Sequence, residues 1–368
     1  MNTIIGENYY VGIRDEISLF EKDENIFNQL EQFLNVNKSE TKLLFISYDL
    51  KNNIESLSSK NKDLINFPII KCIVPEKKLN AKDFKNLMKT KNKPISFHPE
   101  INREKYLSVV NKIKNHIQKG DIYETNFCYN WLANHKIKNP YLIYQKLEKL
   151  TQAPFKVYAD LNSHIIISAS PERFIKKTGN KLTSQPIKGT SKRHHDSKKD
   201  KTIIEKLKND PKERTENIMI VDLVRNDMSK IAKKKSVVVD ELCQVYTFEN
   251  IHQMISSVSC KISDSVSFSD ILKAMFPMGS MTGVPKIRAM ELMDKYENTK
   301  RGLYSGAVGV MHPNGDFDLN VIIRTLIYNK TNNYLSFNVG SAITINSEAE
   351  KEYEETLVKA EALFKACT

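Results

Sequence analysis

The stretch YSGAVGVMHPNGDFDLNVIIRTLIYNKTNNYLSFNVGSAITI, residues 304–345, decides the fold class. Its apolar and β-branched residues form three runs, at 304–311, 318–328 and 334–345, and each run predicts a strand. The segments between the runs contain Pro-Asn-Gly-Asp and Lys-Thr-Asn-Asn, which favour tight hairpin turns. Strands joined by such turns pair antiparallel, so the stretch predicts part of an antiparallel sheet.

Arg324 interrupts the apolar run at 318–328. A buried arginine is costly unless it is paired, so we expect a carboxylate partner for it. From this strand alone, an internal salt bridge explains Arg324 as well as a ligand does.

The segment after the third strand predicts a helix. The residues SEAE at 347–350 have the spacing of a capping box. Beyond them, Glu352, Glu355 and Lys359 fall within about 60° of one another on a helix. Such an acidic face is usually only a solvated surface.

A second helix carries a matching acidic pair. Asp210 has the position of an N-cap and Pro211 that of the first helical residue. Glu213 and Glu216 lie one turn apart on one face, and capping alone explains Glu213 but not Glu216. Two Glu-x-x-Glu pairs on two helices predict a Mg²⁺ site, because Mg²⁺ binds one or two carboxylates directly and others through water. No histidine–cysteine cluster in the sequence competes for a softer metal.

A lysine follows a short β-type run in SQPIKGT, residues 184–190. Lys188 stands between a proline-fixed turn and a glycine, and it becomes a nucleophile if its surroundings lower its pKa. The alternative is one more solvated lysine, since lysines are mostly exposed. Glu172 follows Pro171 at the end of another predicted strand, where a functional carboxylate or a surface ion pair with Arg173 are both possible.

Composition limits the class of protein. The 368 residues carry a net charge of +12 and five scattered cysteines without a CxxC pair, which indicates a reducing compartment, the cytoplasm by default. No apolar run is long enough for a membrane span. The densest basic patches, 192–201 and 233–235, contain no aromatic residues on which bases could stack. We therefore expect neither a nucleic-acid partner nor a membrane, and a non-catalytic basic nucleic-acid-binding protein is the alternative of a different class.

The chain is expected to have two portions. Residues 1–100 predict strands at 42–48 and 67–74 and a connector at 82–99, with no catalytic cluster, so we interpret them as structural. Residues 101–368 contain the motifs above and are interpreted as the catalytic portion.

Taken together, the motifs resemble those of the chorismate-utilising enzymes over about residues 101–366. The resemblance rests on motifs in the family's order: SPERF (170–174), PIKGT (186–190), KERTEN (212–217), VDLVRND (221–227), FPMGS (276–280), GVPK (283–286), YSG (304–306), IRT (323–325) and EYEET (352–356) with Lys359. The resemblance implies an α+β fold, a four-layer sandwich of two large, mostly antiparallel sheets packed face to face with helices outside. The chorismate site would lie between the sheets.

The resemblance also implies a role for each site residue. Lys188 attacks C2 of chorismate, Glu172 is the general acid and base, and His252 lies near the departing 4-hydroxyl. The implied substrate-binding residues are Thr190, Tyr304, Arg324, Gly340, Ser341, Ala342, Lys286 and Lys359. The implied Mg²⁺ ligands are Glu216 and Glu355, with Glu213 and Glu352 beside them. Side chains replace the family's usual glycines in GSAIT, residues 340–344, although small residues there still permit backbone donation.

Two positions are similar to the aminodeoxychorismate synthase branch of the family. Lys188 and Asn217 stand where anthranilate synthases have alanine and histidine, and Glu124 stands where enzymes that add water have a lysine. The implied reaction is Mg²⁺-dependent amination of chorismate at C4, through a Lys188 adduct, to 4-amino-4-deoxychorismate, the precursor of p-aminobenzoate and folate. Anthranilate synthase component I is the alternative. No glutaminase segment is evident, so a glutamine amidotransferase subunit, or free ammonia, would supply the nitrogen.

Overall fold

The computed structural model describes residues 1–84, 90–249 and 251–368, which form twenty strands and nine α-helices. The strands are β1 (Asn2–Ile5), β2 (Asn8–Val11), β3 (Asp15–Leu19), β4 (Lys42–Ile46), β5 (Ile70–Val74), β6 (Lys77–Asn80), β7 (His98–Pro99), β8 (Glu124–Asn134), β9 (Phe155–Asp160), β10 (His164–Ser170), β11 (Arg173–Thr178), β12 (Lys181–Gln185), β13 (Ile187–Lys192), β14 (Val238–Thr247), β15 (Ile251–Lys261), β16 (Gly283–Val284), β17 (Ala307–Met311), β18 (Phe317–Val321), β19 (Thr325–Asn329) and β20 (Tyr334–Ile343). The helices are α1 (Ile26–Val36), α2 (Lys51–Ile54), α3 (Arg103–Gln118), α4 (Pro140–Thr151), α5 (Ser197–Asn209), α6 (Pro211–Ser229), α7 (Phe268–Met275), α8 (Lys286–Tyr296) and α9 (Ala349–Ala366).

The strands form two ten-stranded antiparallel sheets. The first has the order β16-β8-β20-β19-β10-β9-β1-β2-β6, with β7 paired to β8. The second has the order β13-β15-β12-β11-β18-β17-β4-β5-β3, with β14 paired to β15. The predicted antiparallel α+β class is therefore confirmed.

Three hydrophobic clusters hold four layers together. One joins α3, α4, α8 and α9 to the first sheet, and another joins α1, α6 and α7 to the second. The third contains Ile166 of the first sheet and Phe45 of the second, so it fills the space between the sheets. Because strand side chains alternate between faces, Ile165 and Ile167 instead belong to the cluster with the helices. The helix–sheet–sheet–helix sandwich that the resemblance implied is confirmed.

The first hundred residues contribute to both sheets. β1, β2, β6 and β7 add to the first sheet, and β3, β4 and β5 add to the second. The predicted strands at 42–48 and 67–74 correspond to β4 and β5, each a few residues shorter. Part of the predicted connector, residues 85–89, lies outside the described residues. The division near residue 100 stays a prediction.

The stretch at 304–345 contains four strands rather than three. The prediction of one strand at 318–328 was wrong, because β18 ends at Val321 in the second sheet and β19 begins at Thr325 in the first. Between them, Arg324 has a φ of 53°, a left-handed conformation that breaks a strand. The hairpins β17–β18 and β19–β20 form at the two predicted turns.

The two acidic helices begin differently. The Asp210 side chain accepts hydrogen bonds from the backbone N–H groups of Lys212 and Glu213, which confirms it as the N-cap of α6. The capping box predicted at 347–350 was wrong: α9 begins at Ala349, and its N-cap Glu348 makes no capping side-chain hydrogen bond. Ser347 instead accepts a hydrogen bond from the backbone of Thr344. None of the helices in the described ranges is long and apolar enough to cross a membrane.

Candidate active site

A cavity of about 990 Å³ opens among β13, α6, β20 and α9, with walls from both sheets. Its volume is at the upper end of the range for small-molecule sites. It brings together twelve of the residues expected in the site, namely Glu172, Lys188, Thr190, Glu213, Glu216, Tyr304, Arg324, Gly340, Ala342, Glu352, Glu355 and Lys359.

Two of these residues lie where the chain crosses from one sheet to the other. Glu172 stands between β10 of the first sheet and β11 of the second, and Arg324 stands between β18 and β19. The crossings are adjacent, since the backbone N–H of Val321 donates to the carbonyl of Glu172. The side chains of Glu172 and Arg324 thus line the cavity from the two points at which the backbone crosses between the sheets.

Lys188 is buried and paired with a carboxylate. Its Nζ lies 2.5 Å from Oε1 of Glu124, whose side chain is fully buried. Burial alone would lower the pKa of Lys188, but the carboxylates of Glu124 and Glu216 outweigh it and raise that pKa above its usual value. The lowered pKa that a free amine requires is therefore not found, and Lys188 is an ammonium ion at neutral pH.

Glu172 is suited to proton transfer near neutral pH. Its side chain is buried, and burial raises its pKa to about 7, although a hydrogen bond from Ser280 and the charge of Lys188 oppose the rise. Both protonation states are therefore populated near pH 7, as a group that gives and takes protons requires.

The two acidic pairs meet across a lysine. Lys212 Nζ lies 3.1 Å from Glu352 Oε1 on α9 and 3.9 Å from Glu216 Oε1 on α6. Burial raises the pKa of Glu216 to about 7, and Glu216 Oε1 has no hydrogen-bond partner among the described residues. Burial alone would raise the pKa of Glu355, but the charge and hydrogen bond of Lys359 oppose this, and the pKa of Glu355 is lowered overall.

These carboxylates fit a hard divalent cation in their chemistry. All four side chains present carboxylate oxygen atoms, which Mg²⁺ prefers, and the unpartnered Glu216 Oε1 would gain a partner. In the described part of the chain, however, no three acidic, histidine or cysteine side chains are gathered closely enough to hold an ion as they stand. Lys212 occupies the space between the pairs, so metal binding there requires its ammonium group to move aside.

Arg324 presents its charge to the cavity. It forms no salt bridge with any described residue, and its one recorded hydrogen bond goes from Nη1 to the carbonyl of Lys359, 3.2 Å away. The carboxylate partner expected within the protein is thus not found among the described residues. Burial lowers the pKa of Arg324 below its usual value, but a guanidinium stays protonated. An anionic ligand group would satisfy it.

Three expected site residues do not line the cavity. Lys286 is buried against Asp227, and the Ser341 hydroxyl is hydrogen-bonded to Tyr106 Oη at 2.8 Å. His252 is fully buried, with Nε2 2.8 Å from Asp200 Oδ1 and Nδ1 2.9 Å from Thr247 Oγ1.

Gln253, which follows His252 in β15, faces the cavity instead. Its side chain is 3% exposed, and its Oε1 has no hydrogen-bond partner among the residues described. Sequence reasoning missed it because the choice between two strand neighbours depends on register. The alternation of strand side chains was the signal that could have suggested it.

Comparisons with known proteins identify the family of this chain. A family model described as chorismate binding enzyme matches residues 3–365. The chain is 32% identical over 316 residues to anthranilate synthase component 1 of Aquifex aeolicus, covering 86% of this chain and 62% of that protein. It is 35% identical over 263 residues to aminodeoxychorismate synthase component 1 of Escherichia coli, covering 72% and 57%. The chain therefore spans less than two thirds of the length of these curated relatives.

Solved structures show the same fold. Anthranilate synthase component I from Streptococcus pneumoniae superposes with a TM-score of 0.85 at 24% identity, covering 99% of this chain and 92% of that one. The isochorismate synthase MenF from Escherichia coli superposes with a TM-score of 0.81 at 14% identity, covering 100% and 88%. With a family model that spans nearly the whole sequence, the conclusion is that this chain belongs to the chorismate binding enzyme family.

Proposed function

We propose that the protein is an aminodeoxychorismate synthase component I, which aminates chorismate at C4 with ammonia. The observation that carries the proposal is the buried Lys188, whose Nζ faces the cavity within 2.5 Å of the Glu124 carboxylate. The water-adding enzymes that the motifs resemble have a lysine at the position of Glu124. Here that position is filled by a carboxylate engaged with Lys188.

The first half of the reaction requires two proton transfers. Lys188 passes a proton from Nζ to Glu124 Oε1 and attacks C2 of chorismate. The two ring double bonds shift, and the C4–O bond breaks. Glu172, with a pKa of about 7, gives its proton to the departing 4-hydroxyl, which leaves as water.

The second half reverses the bond shifts. Ammonia forms a bond to C4, the double bonds return, and the C2–Nζ bond breaks. The new ammonium group gives one proton to Glu172, and Glu124 returns its proton to Lys188. Both carboxyl groups and the lysine thus regain their starting states, and the net products are 4-amino-4-deoxychorismate and water.

The two carboxylates of chorismate need separate cationic partners. Arg324 and Tyr304 would bind the enolpyruvyl carboxylate, with Thr190 and the backbone of 340–342 nearby. The ring carboxylate lies towards Glu213, Glu216, Glu352 and Glu355, where like charges would repel it. Mg²⁺ held by these glutamates would neutralise that repulsion and bind the carboxylate.

A second subunit would supply ammonia. The Escherichia coli relative is named component 1, and this supports a partner component, which we propose to be a glutamine amidotransferase. All five cysteines are free and buried, consistent with the cytoplasmic location that we propose.

Anthranilate synthase component I is the second candidate. The observation that favours it is the match to the Aquifex aeolicus protein, which covers 86% of this chain. The two candidates share the substrate and differ in the position aminated, so product identity separates them.

The test uses purified protein with chorismate, MgCl₂ and ammonium chloride. Mass spectrometry should detect aminodeoxychorismate, which becomes p-aminobenzoate only after a lyase is added. Lys188→Ala should lose at least about 100-fold in rate, as expected for removal of a covalent nucleophile. Lys192→Ala, on the same strand at the cavity edge, is the control and should retain activity. Fluorescent anthranilate formed without a lyase would refute the proposal.

A further inference from the structure

Arg301 is a buried cation outside the cavity. It lies five residues after α8 and is 4% exposed. Its guanidinium donates to two main-chain carbonyls, Asn126 from Nη2 and Met281 from Nη1, each at 2.8 Å. It also pairs with Glu297 at 2.7 Å and lies 4.4 Å from the centre of the Tyr48 ring.

The two carbonyls belong to different cavity walls. Asn126 is on β8 and Met281 is in the segment 279–282, and both side chains line the cavity with Ser280. The walls contact each other directly as well: Asn126 Nδ2 donates to the Ser280 carbonyl at 2.6 Å, and the Asn126 N–H donates to the Thr282 carbonyl at 2.8 Å. Arg301, which does not line the cavity, therefore fixes the spacing between β8 and this segment.

Each wall contacts one of the side chains to which we assign proton transfer, β8 contacting Lys188 and the segment 279–282 contacting Glu172. Glu124, two residues before Asn126 on β8, fixes the Lys188 ammonium. Ser280, the neighbour of Met281, hydrogen-bonds to the Glu172 carboxylate. Lys188 and Glu172 themselves come from other elements, so their alignment depends on how these two walls are spaced.

We propose that Arg301 is a positioning residue for amination, which sets Glu124 against Lys188 and Ser280 against Glu172 without touching the substrate. This inference rests on the proposed function. Lysine cannot replace arginine in this role, because one ammonium group does not provide the planar fork that reaches two carbonyls and a carboxylate together.

Arg301→Lys tests the geometry while keeping the charge. We expect kcat for chorismate amination to fall about 10- to 100-fold, as for a small misplacement of reacting groups. The KM for chorismate should stay within about threefold of wild type, because none of the residues that bind the substrate is changed.

Glu297→Gln is the matched control. It removes the ion pair but leaves both hydrogen bonds from Arg301 to Asn126 and Met281, and a glutamine oxygen can still accept from the Cys128 N–H. We expect a lower thermal midpoint, comparable to that of Arg301→Lys, but a kcat within about threefold of wild type. If Arg301→Lys does not fold, the double variant Arg301→Gln, Glu297→Gln is used instead. It removes both charges of the ion pair and should show the same loss of kcat.

Hydrogen exchange gives a readout that does not depend on turnover. The amides of 124–128 and 279–282 should exchange faster in Arg301→Lys and not in Glu297→Gln. If wild type forms no aminodeoxychorismate, the proposed function fails and the exchange comparison alone decides whether Arg301 spaces the walls. The inference is overturned if Arg301→Lys keeps a wild-type kcat, if Glu297→Gln loses as much kcat, or if exchange is unchanged in both.

Discussion

Replacing Glu172 with glutamine should change how stability depends on pH. Burial raises the pKa of Glu172 from its ordinary 4.5 to about 7 in the folded protein. The folded state therefore binds this proton more tightly than the unfolded state. The contribution to stability is full below about pH 4.5 and is lost as the pH rises through 7. At about 1.4 kcal/mol for each pH unit, the ionised carboxylate costs about 3 kcal/mol by pH 8.

Urea unfolding of wild type and Glu172→Gln, measured between pH 4.5 and pH 8, checks this magnitude. Glutamine stays neutral at every pH. The free energy of unfolding of the variant minus that of wild type should therefore rise by about 3 kcal/mol between pH 4.5 and pH 8. Glu216, whose pKa is also raised to about 7, is present in both proteins, and its contribution largely cancels in the difference.

Glu361→Gln is the control, since Glu361 is at the cavity edge and its pKa is lowered by Lys365 rather than raised by burial. It should not reproduce the gain. The same reasoning predicts that wild-type kcat falls as the pH rises above 7, because the departing hydroxyl needs the protonated acid. A difference between wild type and Glu172→Gln that stays constant from pH 4.5 to pH 8 would refute the effect of burial.

Two further results are expected. Arg324→Gln should lower kcat/KM for chorismate about 10- to 100-fold, because a charge-assisted hydrogen bond to a carboxylate contributes about 1.5–3 kcal/mol. Initial rates test this prediction, with the surface variant Arg225→Gln as the control. Dialysis against EDTA should abolish amination, and added MgCl₂ should restore it. Glu216→Gln should need an Mg²⁺ concentration at least about tenfold higher than wild type to regain activity. Full activity in EDTA would contradict the metal site.

The local part of the fold could be predicted from the sequence. Turn residues identified both hairpins of 304–345, and Asp210 with Pro211 identified the start of α6. These signals are local, since a turn or a cap depends on residues within four positions of one another. Each glutamate pair shares one face of its own helix, as the spacing predicted, and both pairs line the cavity.

The partners of the site residues could not be predicted in the same way. Lys188 contacts Glu124, 64 residues earlier in the chain, and Arg301 contacts Asn126, 175 residues earlier. Such pairs follow from the stacking of sheets and not from any spacing in the sequence. His252 and Gln253 show the same limit at short range: the side of the strand that each faces is set by pairing with β13, whose register shifts between Ile187 and Thr190.

The broken strand at Arg324 is the failure of local reasoning that says most about function. A left-handed backbone at a residue other than glycine costs about 1–2 kcal/mol. A half-buried guanidinium with no carboxylate partner among the described residues adds to that cost. Neither feature is required to connect two sheets, because the crossing at Glu172 connects them without a left-handed residue. A strained conformation whose guanidinium lines the cavity, with no carboxylate partner among the described residues, would be stabilised if an anion entered. An anionic ligand in the cavity would therefore account for this departure from a regular strand.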